Sequence, residues 1–137
     1  MTAMDTRGRF AAGLAMAACV VITLAIWLSV SAHQSMWPLP ALYLVEMVAL
    51  AIAATLAMLG AGSGRMLIVW AAIGAMAGFC VLGAWSVGLY YAPVALMFAV
   101  LVGSSDFRRR RFQPMHLGAC LLAGAAQAGI MLAVMRT

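Results

Sequence analysis

The 137-residue chain carries eight basic against three acidic groups, a net charge of +5, and is 67% hydrophobic with only 8% charged residues. An ordinary soluble domain carries about 25% charged residues. With a mean hydropathy of +1.10 the chain cannot cover itself in water, and its solvent is expected to be lipid. All eight cations are arginines at the edges of apolar runs, not along one helix face between aromatics, which excludes a nucleic-acid footprint. Cys19, Cys80 and Cys120 lie singly inside apolar runs, so they form no disulfide framework or CxxC motif and read as inert buried thiols. Arginine without lysine, with much alanine and glycine, points to a GC-rich bacterial genome and so to the bacterial inner membrane.

The first uncharged run, residues 10–32, is 23 residues long and follows a basic segment containing Arg7 and Arg9. At about 1.5 Å per residue it crosses a hydrocarbon core of roughly 30 Å, and it is too long for a signal-peptide core of about 7 to 15 residues. Residues 33–40 read as an interfacial turn, with Trp37 at headgroup depth and Pro38 and Pro40 ahead of a second span at 41–60. Only Glu46 interrupts that span. Residues 60–65 form a glycine-rich turn ending in Arg65.

The next 39 residues, 66–104, contain no charge, and one helix of that length would be about 58 Å long, nearly twice the hydrocarbon thickness. Gly83, Trp85, Gly88, Tyr90, Tyr91 and Pro93 near its midpoint combine a tight turn with an aromatic belt. The run is therefore split into a third span at 66–85 and a short fourth at 88–104. A polar loop with Asp106 and the arginines Arg108, Arg109, Arg110 and Arg111 leads to the last span, 115–135. Nothing remains for a soluble domain.

The arginines choose between five spans and the competing count of four. With five, seven of the eight share one side and Arg136 stands alone on the other; with four, they divide equally. The positive-inside rule favours five, giving an all-α bundle of transmembrane helices with a cytoplasmic N-terminus and an external C-terminus. Packing of such helices relies on small residues. Gly74 and Gly78 form a GxxxG in the third span, Ala49, Ala53 and Ala57 a stripe in the second, and Ala119 with Ala123 and Ala125 with Gly129 repeat the spacing in the fifth. Packing within one chain is the favoured use of the GxxxG.

Glu46 is the only ionisable side chain well inside a span, and a carboxyl at that depth is a functional candidate. In hydrocarbon it is expected to be neutral and able to donate a hydrogen bond, exchange a proton or cation, or meet a neighbouring subunit. Gln127 in the same leaflet and Tyr90, Tyr91 and His33 at the outer boundary are its candidate partners. His33 and His116 belong to opposite interfaces, too far apart to clamp one iron within the chain, which leaves one axial ligand to a pigment or pairing with a histidine of another chain as the alternatives; no cofactor and no metal is expected. His116 reads as an interfacial, solvated side chain. The run Arg108 to Arg111, between Phe107 and Phe112, suits anionic lipid or an acidic partner as well as setting orientation. The methionines read as lipid-facing or core filler.

No pair of carboxylates, no serine with histidine and acid at one depth, and no phosphate-binding glycine motif occurs, so the chain is not expected to be an enzyme. The expectation is a non-catalytic integral or accessory subunit of a larger bacterial membrane complex, of the respiratory or photosynthetic kind, with protein partners in the bilayer. The alternative is a small transporter or channel, active as a homo-oligomer, that uses Glu46 as its exchange site.

Overall fold

A computed structural model of the chain describes residues 6–33, 39–60, 63–83, 87–108 and 114–135. These residues form five α-helices: α1 (Thr6–Ser31), α2 (Leu39–Leu59), α3 (Ser63–Leu82), α4 (Ala92–Arg108) and α5 (Pro114–Met135), with a 3-10 turn, Gly88–Tyr91, at the head of α4. Helices α1, α2, α3 and α5 are long and apolar enough to cross a membrane, and α4 is shorter. This is an all-helical, multi-pass membrane architecture.

Several helix ends differ from the sequence expectation: α2 begins at Leu39, taking in Pro40, and α3 begins at Ser63, so Arg65, read as the end of a turn, is helical. Helix α1 starts at Thr6, so Arg7 and Arg9 are helical, and α4 continues through Asp106 to Arg108, into the segment read as loop. Residues 104–108 contain no glycine or proline, and arginine is a good helix former. The next breaker is Pro114, the first residue of α5, where its missing N–H is no loss. The expected interfacial rings Trp37 and Trp85, and Arg109, Arg110, Arg111 and Arg136, lie outside the described residues.

Helices α1 to α4 form a ring in chain order: each packs on the next, and α4 closes onto α1. Helix α5 stands outside this ring and packs on α3. One level of the ring fixes the directions. The Thr23 hydroxyl of α1 is 2.8 Å from the Tyr91 hydroxyl; the Tyr91 ring meets Phe79 of α3 edge-on at 5.9 Å; and Phe79 lies 5.6 Å from Tyr43 of α2. Thr23 and Phe79 are near the C-terminal ends of their helices, while Tyr43 and Tyr91 are near or at the N-terminal ends of theirs. Neighbours in the ring therefore run antiparallel.

The long neutral run doubles back between α3 and α4. The Gly83 N–H donates to the Phe79 carbonyl and the Gly88 N–H to the Gly83 carbonyl, each at 2.8 Å. The two glycine backbones are in contact, and a Cβ on Gly88 would lie 2.7 Å from Gly83. Only glycine allows that approach. The return has a consequence further along: α3 and α5 are parallel. Gly74 touches the Cys120 carbonyl, Gly78 faces Gly124, and Trp70 stacks on His116, so positions ascend together along both helices.

The ring interior is apolar and filled by Leu44, Met47, Met76, Phe79, Val94 and Phe98, all nearly inaccessible. The outside is also apolar, with Val21, Leu28, Val81 and Leu122 all more than 60% exposed. A protein apolar on both sides has lipid as its outer solvent.

Candidate functional site

Helix α2 turns Leu44, Met47, Ala51 and Ala54 into the ring, each at most 1% exposed. At 3.6 residues per turn, Glu46, Ala49, Ala53 and Ala57 fall within a stripe about 80° wide that is centred well away from this core face. Ala49 is exposed, and Glu46, Ala53 and Ala57 are half-buried. The small side chains let another helix come close, and Glu46 projects from the same strip of surface. It stands three residues, about 4.5 Å, from the level of Tyr43, toward the helix interior. Among the described residues Glu46 makes no hydrogen bond or ion pair.

The expected partners of Glu46 do not gather around it. Gln127 is 5% exposed, but it faces α3, where its Cβ would lie 3.4 Å from a Cβ on Gly78, and α5 packs on α3 rather than on α2. Its Nε2 is buried without a hydrogen-bond partner among the described residues. Tyr91, expected at the outer boundary, is fully buried. The 3-10 turn rotates it into the ring, and the Thr23 hydroxyl satisfies its polar tip. Tyr90 takes the boundary position, 64% exposed. His33 is exposed just beyond α1, with Nδ1 2.9 Å from the Ser29 carbonyl oxygen. His116 is not solvated: it is 6% exposed and lies parallel to Trp70 at 6.4 Å, because the α3–α5 register puts the two rings at one level. The two histidines lie at opposite ends of the bundle.

The small-residue stripes also divide. Gly74 and Gly78 receive α5, and their counterparts are the Cys120 and Gly124 carbonyls. Ala125 and Gly129 face outward. Of the cysteines only Cys19 is fully buried, its thiol 3.7 Å from the Met47 carbonyl; Cys80 and Cys120 are half-buried.

Sequence reasoning missed the polar seam inside the ring. The Thr23 hydroxyl also reaches the Cys19 carbonyl at 2.8 Å, so one hydroxyl ties α1 to the head of α4 and returns to its own helix. A threonine in an apolar run gives no sequence signal of this, since such a hydroxyl ordinarily bonds back one turn.

Two open grooves flank α1. One, about 270 Å³, lies between α1 and α2 beside Trp27, Val45 and Ile52. The other, about 390 Å³, lies between α1 and the head of α4 beside Ile26, Val30 and Tyr90. Their walls are mainly apolar, with Thr23 lining the first and Ser29 and Tyr90 the second. Among the described residues no cluster of three or more histidine, cysteine, aspartate or glutamate side chains could hold a metal ion. Comparison with protein-family models, curated proteins and solved structures finds no match to the chain.

Proposed function

We propose that this chain is a non-catalytic integral subunit of a larger assembly in the bacterial inner membrane, with its N-terminus in the cytoplasm, docked through the Glu46 face of α2. The observation that carries the reading is the half-buried Glu46, without a hydrogen-bond or ion-pair partner among the described residues, on a strip of alanines. Within hydrocarbon a carboxyl is expensive unless it is hydrogen-bonded, and small residues beside it permit the close contact that helix association requires. A neighbouring helix would supply both. Helix α5, outside the ring and apolar over most of its circumference, adds further surface for such a neighbour.

Solubilisation in mild detergent followed by affinity isolation tests this. The chain is expected to bring other membrane proteins with it, to keep them in Glu46→Gln, and to lose them in Glu46→Leu. Recovery always as a lone chain contradicts the proposal. Exchange by an oligomer through Glu46 makes the opposite demand, since glutamine cannot release a proton: flux in proteoliposomes abolished by Glu46→Gln would favour a transporter instead.

A further inference from the structure

We propose that the arginine-bearing end of the bundle is a binding site for anionic phospholipid, assembled from the starts of α1 and α3. The alternating directions put the starts of α1 and α3 and the finish of α4 at one end. Arg7 and Arg9 are exposed on the first turn of α1, and Arg65 is exposed near the start of α3. Helix α4 packs on both α1 and α3, the helices that carry these three arginines.

The α1–α4 register sharpens the placement. Thr23 is level with Tyr91, so counting equal rises down two antiparallel helices brings Arg7 and Arg9 to the level of the last turn of α4. Asp106 is the one acidic residue of that turn, and Asp5 precedes α1 in the chain, so arginine outnumbers carboxylate at this end. His116, on the first turn of α5, is enclosed against Trp70. The Arg65 guanidinium lies against Gly60 at the C-terminal end of α2, where the helix carbonyls favour a cation.

A second feature selects lipid over an acidic protein surface. Arg7 heads a stripe of α1 made by Phe10, Leu14, Val21 and Leu28, at successive separations of three, four, seven and seven residues, each more than 50% exposed. From Arg7 to Leu28 the stripe is about 32 Å long, the thickness of a hydrocarbon core. A lipid can lay its tail along the half of this stripe nearest Arg7, beside Phe10 and Leu14, while its phosphate takes two parallel N–H bonds from a guanidinium. An acidic protein in water would use the arginines and leave the stripe idle.

The test uses the full chain in neutral detergent, with bound phosphatidylglycerol, cardiolipin and phosphatidylcholine counted by native mass spectrometry and affinities taken from lipid titration. The anionic lipids are expected to be retained and phosphatidylcholine to be lost. Arg7→Gln and Arg9→Gln are each expected to weaken anionic-lipid binding about fivefold. Arg136→Gln, just beyond the opposite end of α5, should leave binding unchanged. Circular dichroism of the variants separates a lost contact from a lost fold. Equal retention of all three lipids, indifference to the Arg7 and Arg9 substitutions in folded protein, or inorganic phosphate displacing the lipid at equal concentration would overturn the proposal.

Discussion

Tyr91 and Thr23 illustrate how a bundle with almost no polar side chains still sets its register. Dispersion contacts between apolar helices change little when one helix slides by a turn, but a hydroxyl pair buried at 2.8 Å allows one position. Replacing Tyr91 with Phe, or Thr23 with Val, is expected to destabilise the folded state by about 0.6 kcal/mol and by no more than about 1.7 kcal/mol. The double variant should lose less than the sum, because both substitutions remove one bond. Reversible denaturation from mixed detergent micelles measures all three. Additive losses would mean that the hydroxyls act separately. Glu46 and Gln127 differ from this pair: Gln127 buries its Nε2 without a hydrogen-bond partner among the described residues, and the half-buried Glu46 makes no hydrogen bond among them. Sequence could single out Glu46 because charge inside an apolar run is visible in one dimension. Whether it meets Gln127 depended on which helices are neighbours, and that is a property of the ring.

At the level of elements, the α3–α5 pair shows what a spacing motif does and does not convey. Gly74 and Gly78 were legible as a close-packing surface, but their partners Cys120 and Gly124 were not, since one backbone carbonyl looks like any other in sequence. Parallel packing required the intervening α4 to return. A Cβ on Gly78 would come within 2.7 Å of the Gly124 carbonyl oxygen, so Gly78→Val forces the helices apart at a cost of about 1–3 kcal/mol. The expected outcome is faster reaction of half-buried Cys120 with a lipid-soluble thiol reagent, while fully buried Cys19 stays protected. Unchanged Cys120 reactivity would mean that α5 does not depend on this contact. The turn between α3 and α4 was readable from its cluster of Gly83, Gly88 and aromatic residues. The direction of Tyr91 was not, because the 3-10 turn moves it away from the boundary occupied by Tyr90. Extension of α4 to Arg108 was missed for a related reason: charge was read as loop, although a charged segment without a breaker can remain helical.

The whole molecule joins a four-helix ring to an outlying fifth helix, with arginine concentrated at one end and apolar surface almost everywhere else. Each part depends on the 39-residue neutral run turning at Gly83 and Gly88 and doubling back as α4. That return makes α3 and α5 parallel, gathers the starts of α1, α3 and α5 at one end, and places Arg7, Arg9 and Arg65 beside the terminus of α4. If the shorter α4 also crosses, the number of crossings is odd, and the proposed threading puts the two chain ends in different compartments. Reporters that are active on only one side of the membrane, fused in turn before Met1 and after Thr137, measure this directly. The account predicts a cytoplasmic signal from the first and an external signal from the second. Both signals from one compartment would contradict it.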